Sequence, residues 1–183
     1  METARLETER LIMRRWREED REPFAAMNAD PEVMEHFPAL LTRERSDALV
    51  DRIERHFDEH GYSLWALELR GSGRFIGFAG LMLQTFDAPF LPAVEIGWRL
   101  ARSAWGHGYA IEAARRAARY AFEEAGLDGL ISMTAVQNRR SRSVMERLGM
   151  TRDPAEDFDH PLVPKDSPIS RHVLYRLRRP ATT

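Results

Sequence analysis

The hexapeptide Trp105-Gly106-His107-Gly108-Tyr109-Ala110 carries the clearest chemistry in this chain. Two glycines one residue apart let the backbone turn sharply and approach a ligand closely. The run that follows is strongly helical, and a helix start offers unpaired N–H groups and the positive end of a dipole. Together they make a phosphate-binding device. The dinucleotide fingerprint needs a third glycine where Ile111 stands, and no Gly-Lys-Ser/Thr of a Walker loop occurs. A plain glycine-rich connection between strand and helix is the alternative. A second chemical group is Glu95, a carboxylate inside the otherwise apolar strand-like run of residues 93–100. Strand alternation puts it on one face with Ala93, Gly97 and Arg99, opposite Val94, Ile96, Trp98 and Leu100. An unpaired buried carboxylate is costly, so Glu95 faces a cleft as a general base or pairs with an arginine such as Arg99. A third is Asn138, followed one turn on by Ser141, at the start of a short helix; asparagine suits both an amide ligand and a helix cap.

The elements that position these groups follow from periodicity. Residues 10–14 read as a strand and 18–28 as a helix with Phe24 and Met27 inward. Asp30-Pro31 reads as the start of a second helix. Residues 42–60 form a longer helix, capped by Thr42 and stopped by Gly61. The pattern then turns β-like over 63–69 and 74–83, a hairpin joined by Gly71-Ser72-Gly73. Residues 85–92 form a loop and 93–100 a strand. An alanine-striped helix covers 109–125, a strand 130–136, a helix 138–148, a proline-rich loop 153–170 and a last strand 171–178. One domain over residues 1–183, in an α+β (α/β layered) class, is the expectation.

This order resembles the GNAT superfamily of acetyl-CoA-dependent N-acetyltransferases, and more narrowly its RimJ/RimL-type branch. The likeness rests on Thr8-Glu9-Arg10-Leu11-x-x-Arg14, Val94-Glu95-Ile96-Gly97-Trp98, Trp105-x-x-Gly108-x-Ala110, Asn138-x-x-Ser141 and Glu146-Arg147-Leu148-Gly149-Met150. It implies a mixed, mostly antiparallel sheet flanked by helices. It further implies that Trp105, Gly106, His107, Gly108, Tyr109 and Ala110 hold the coenzyme A pyrophosphate. The pantetheine arm would bond the main chain of Trp98, Arg99 and Leu100, with help from Asn138, in a gap between diverging strands. Glu95 becomes the general base and Ser141 the acid for the leaving thiolate, with Tyr109, water or no acid as alternatives, because the family's tyrosine position holds Met145. Phe158, in Asp157-Phe158-Asp159-His160, falls near the acceptor pocket of some relatives; Phe37, within residues 34–38, either walls that pocket or packs in the core. The cluster Arg139, Arg140 and Arg142 is either a solvated face or a contact for the cofactor's 3′-phosphate.

Composition narrows the rest. With 183 residues, 43% hydrophobic and 31% charged, the chain has the make-up of a globular protein. A net charge of −2 gives no global case for nucleic acid. The absence of cysteine removes disulfides and an acetyl-cysteine intermediate, leaving direct attack by the amine, and fits the cytoplasm. The charged residues 1–15 are no signal peptide, and the longest apolar run is too short to span a bilayer, so no membrane partner is expected. His56 and His60 stand one turn apart but lack a protease motif, and no metal is expected. The acceptor is expected to be a primary amine, on a protein N-terminus or a small molecule. Relatives of the branch are often dimers, so a homodimer is one expected arrangement. The rivals are a non-catalytic acyl-CoA-binding or sensor module and, more weakly, a nucleic-acid-binding module.

Overall fold

A computed structural model describes residues 5–181. Its strands are β1 (Leu6–Glu7), β2 (Leu11–Arg14), β3 (Leu64–Leu69), β4 (Phe75–Gln84), β5 (Ala93–Leu100), β6 (Gly129–Ala135), β7 (Thr151–Arg152), β8 (Phe158–Asp159) and β9 (Arg171–Arg178). The helices are α1 (Arg21–Asn28), α2 (Arg43–His60), α3 (Tyr109–Glu123) and α4 (Arg139–Arg147). The strands form one sheet in the order β1-β2-β3-β4-β5-β6-β9-β7, with β8 also on β9. Every pairing is antiparallel except β5 with β6. The expected mixed, mostly antiparallel sheet flanked by helices is therefore what the sequence forms.

Helices cover both faces. Phe24 of α1 meets Phe78 edge-on at 5.9 Å, while Tyr120 of α3 meets Trp65 at 5.3 Å. Phe78 and Trp65 point to opposite faces because their partners, Ala66 and Ala79, are one residue off. Helix α3 approaches closely because Ala113, Ala114, Ala117, Ala118 and Ala121 are its inner surface, all buried. Thr42 caps α2 by accepting the Arg45 N–H at 3.3 Å, and Gly61 ends it in the left-handed region.

Two expectations fail. Asp30-Pro31 starts no helix: Asp30 Oδ1 accepts the Glu32 N–H at 2.9 Å and its carbonyl accepts the Met34 N–H at 3.0 Å, after which the chain continues only as turns and bends. Val33 and Met34 are drawn into the core there, and Pro38 follows too soon for a helix to extend. The stretch 153–170 is not all loop either. It holds a single 3-10 turn, Pro154–Glu156, and β8, whose Phe158 pairs with His172 of β9.

Candidate active site

The central feature is the parallel junction of β5 and β6. The two strands pair only at Glu95 opposite Ile131, although β5 runs on to Leu100 and β6 to Ala135. Beyond that rung they separate into a cleft. The Ala101 N–H bonds the Ile76 carbonyl of β4 at 2.9 Å. By strand alternation the main chain of Ile96, Trp98 and Leu100 therefore turns towards β6. Trp98 lies past the last rung, so its main chain faces the cleft, while the Leu100 carbonyl accepts the Trp105 indole N–H at 3.0 Å.

Glu95 sits at the apex of this cleft. Gln84 Nε2 donates to its Oε2 at 2.7 Å. Burial pushes its pKa up to about 7; the Gln84 amide and the Met133 backbone N–H pull the other way and do not prevent it. The residue keeps some exposure although protein surrounds its carboxyl. Arg99 does not pair with it. The Arg99 guanidinium donates from Nη1 to Asn28 Oδ1 at 2.7 Å and lies over the rings of Phe37 and Phe78, 4.2 and 5.3 Å from their centroids. Of the two readings of Glu95, arginine pairing is absent among the described residues, and a carboxyl poised near neutrality remains.

The glycine loop closes the far end of the cleft. Gly106 and Gly108 adopt φ of +77° and +80°, the left-handed region that side chains disfavour. Gly108 caps α3 without any side-chain acceptor. The first bond of α3 runs from the Glu112 N–H to the Gly108 carbonyl at 3.2 Å. Among the described residues, no protein acceptor takes the N–H groups of residues 106–111. That row of donors at a helix start fits a diphosphate. Arg140 lies over the Trp105 ring at 4.1 Å, at the edge of the same loop.

Sequence reasoning gave no role to the segment that braces this loop. Glu112, in the first turn of α3, accepts the Thr8 hydroxyl at 2.6 Å, the Arg10 N–H at 2.9 Å and Arg10 Nε at 2.7 Å. Arg10 Nη1 also donates to the His107 carbonyl at 2.8 Å, and its guanidinium stacks on Tyr109 at 4.6 Å. Burial opposes ionisation of Glu112, but these hydrogen bonds outweigh it and hold its pKa below the usual range. The charge of the first-turn carboxylate is thus offset by Arg10, so the N-terminal end of α3 keeps its positive field. The motif Thr8-x-Arg10 was the only signal.

Asn138 is a helix cap: its Oδ1 accepts the Ser141 N–H at 3.2 Å and its Nδ2 donates to Thr134 Oγ1 at 2.9 Å. Ser141 is half-buried and its hydroxyl has no partner among the described residues. Met145 is 1% exposed and packs in the core. Arg142 is structural, donating to the Val136 carbonyl at 2.9 Å, whereas Arg139 and Arg140 are exposed. Phe37 covers Arg99. Phe158 belongs to a different cluster, 4.8 Å from Phe90 and 5.7 Å from His172. Its neighbour His160 is pushed down to about 4 by burial and then by His172. Asp157 is held by Arg152 Nε at 3.0 Å and is not free for an amine. His56 bonds the Tyr62 carbonyl at 2.8 Å and the Leu83 N–H at 3.1 Å, a structural role. A hollow of about 540 Å³ lies between α1 and the turn after β5, lined by Pro23, Met27, Asp30 and Arg102 among others.

Comparison with known proteins gives the family of the chain. Residues 10–151 match the family described as an acetyltransferase (GNAT) domain. A Bacillus subtilis (strain 168) protein, uncharacterized and called YkkB, is 31% identical over 148 residues, covering 80% of this chain and 85% of that one. An Aspergillus fumigatus protein named FsC-acetyl coenzyme A-N(2)-transacetylase is 32% identical over 162 residues, covering 80% of this chain and 64% of that one. The crystal structure of an acetyltransferase from Agrobacterium tumefaciens str. C58 superposes with a TM-score of 0.78 at 28% identity, over 97% of this chain and 96% of that one.

Proposed function

Since this chain belongs to the acetyltransferase (GNAT) domain family and is an acetyltransferase, we propose that it transfers the acetyl group of acetyl-CoA to the nitrogen of a primary amine. Transfer is direct, within a ternary complex, on a single cytoplasmic domain. The observation that carries this reading is Glu95 at the last rung between β5 and β6, its pKa raised to about 7. Family members use acetyl-CoA, and the chain has the parts to hold it. The N–H groups of residues 106–111 suit the pyrophosphate, and the main chain of Trp98 and Leu100 faces the cleft where the pantetheine arm would lie. Bound acetyl-CoA supplies an electrophilic thioester carbonyl.

The protein's residues do the rest. Glu95, directly or through water, takes the proton that the acceptor's ammonium must lose before its nitrogen can attack. A carboxyl with a pKa of about 7 is ionised in substantial part near neutral pH and accepts that proton without holding it too tightly. The Trp98 N–H offers a fixed donor to the carbonyl oxygen as charge develops there. Ser141, with a free hydroxyl, is the donor for the departing thiolate. The narrower likeness to the RimJ/RimL branch rests on the sequence blocks Thr8-Glu9-Arg10-Leu11-x-x-Arg14 and Val94-Glu95-Ile96-Gly97-Trp98. The acceptor is accordingly a protein N-terminus or a small-molecule amine.

The test is release of free thiol from acetyl-CoA with a panel of small amines, polyamines, amino acids and peptide N-termini, with the acetylated product identified by mass. Amine-dependent thiol release and a product heavier by one acetyl group are expected. Tight binding of acetyl-CoA with no release for any amine would instead identify a sensor module.

A further inference from the structure

Arg99 is a cation enclosed by protein without a carboxylate. Among the described residues its only hydrogen bond goes to Asn28, a neutral amide, and its Nε is buried with no partner. A guanidinium offers five N–H donors, so most remain unused. Enclosing a charge this way is costly unless something compensates. The faces of Phe37 and Phe78 do so in part. The cost shows in the guanidinium pKa, lowered to about 10 by burial alone.

Its position relates it to Glu95. Both lie on the same face of β5 with Gly97 between them, and that face is the one α1 covers, since Phe78 pairs with Arg99 and meets Phe24. A Cβ built on Gly97 meets nothing within 4 Å. The strand floor between carboxyl and guanidinium is therefore open. Four residues of strand separate the two by about 13 Å at ~3.3 Å per residue.

We infer that the acceptor is a primary amine bearing an oxyanion, a carboxylate or a phosphate, which lies across Gly97 with its nitrogen at Glu95 and its anionic group on Arg99. This rests on the acetyl-transfer reading and names the substrate class for the same site. A carboxylate or phosphate suits a planar guanidinium, which can donate two parallel hydrogen bonds to it. Phe37, half-exposed over the guanidinium, shields that contact from water. A polyamine is the opposite case, since its second cation would be brought against Arg99. The spacing asks for an anion on the order of 10 Å from the reacting nitrogen.

The experiment uses the whole chain. The ratio of kcat/KM is measured for an ω-amino acid against the alkylamine of equal chain length, and for an ω-aminoalkyl phosphate against the same alkylamine, over a series of lengths. The wild-type protein should favour one or both anionic acceptors by about tenfold or more, most strongly at the length that spans Glu95 to Arg99. Whichever arm leads identifies the anion. Arg99→Met should collapse that ratio towards one, and Arg99→Lys should retain part of it. Binding of the same amines to the complex with free coenzyme A is followed by calorimetry, which needs no turnover. Turnover of amines with no anionic advantage in the wild-type protein, or with polyamines preferred, overturns this inference and leaves acetyl transfer standing. Anion-dependent binding that Arg99→Met abolishes, without turnover of any amine, supports the subsite and overturns the transfer reading.

Discussion

Replacing Glu95 by glutamine separates catalysis from binding and from stability in one variant. Glutamine keeps the shape and still accepts a hydrogen bond, but cannot take a proton. If Glu95 is the base, kcat should fall by about 10²–10⁴, the usual contribution of a positioned general base. Affinity for acetyl-CoA should stay within about twofold, because the amides of residues 106–111 are untouched. In the wild-type protein, kcat/KM should rise with pH through an apparent pKa of about 7 as Glu95 ionises. That limb should vanish in the variant. Stability carries an independent signature of opposite sign. The folded-state pKa lies above the ordinary 4.5, so the folded protein holds this proton more tightly than the unfolded chain. The associated stability is complete below about pH 4.5 and is lost as pH rises through about 7. At ~1.36 kcal/mol per pKa unit, the ceiling on that loss is about 3 kcal/mol. Glu95→Gln should therefore match the wild type near pH 4 and melt higher at pH 8, by at most roughly 6–12 °C at ~2–4 °C per kcal/mol. Thiol release across pH and thermal unfolding at both pH values are the assays. An unchanged kcat with the limb intact, together with no gain in melting temperature at pH 8, would refute the assignment.

Other outcomes follow from the loop and its supports. Gly108→Val forces a side chain into φ +80° and should cost about 1–2 kcal/mol of stability. It should weaken acetyl-CoA binding by calorimetry about tenfold or more. Arg10→Ala frees the Glu112 carboxylate beside the N–H groups at the start of α3; the KM for acetyl-CoA should rise several-fold with a smaller change in kcat, and the rise should shrink when Glu112→Gln is added. Ser141→Ala should lower kcat by about tenfold with good leaving groups unaffected, because a thiolate of low pKa needs no proton donor.

The long periodic elements were legible in the sequence because their signals are local. The alanine stripe of α3, the Thr42 cap and the Gly61 stop each need only a few neighbouring residues. So did the placement of Glu95 opposite Val94 and Ile96, which strand alternation fixes. What was not legible depends on distant parts of the chain. The grip of Thr8 and Arg10 on Glu112 joins residues more than 100 positions apart in sequence, and the motif Thr8-x-Arg10 does not by itself say which distant group it holds. Strand β8 is two residues long, too short for any period, and exists only because β9 lies beside it. Asp30-Pro31 shows the converse. Its capping chemistry is real, but Val33 and Met34 are pulled into the core before a helix can form. The pairing of Glu95 with Arg99, one of two sequence readings, fails on reach: four residues are one turn of helix but about 13 Å of strand.

The most direct measurement is a crystal structure of the protein with coenzyme A and an amine acceptor analogue. The diphosphate should lie within hydrogen-bond distance of the N–H groups between residues 106 and 111. The thiol should lie in the cleft that opens past Glu95 and Ile131, and the acceptor nitrogen beside the Glu95 carboxyl. A ligand seated elsewhere, or β5 and β6 zipped together past Glu95 with the coenzyme outside, would contradict the proposed mechanism.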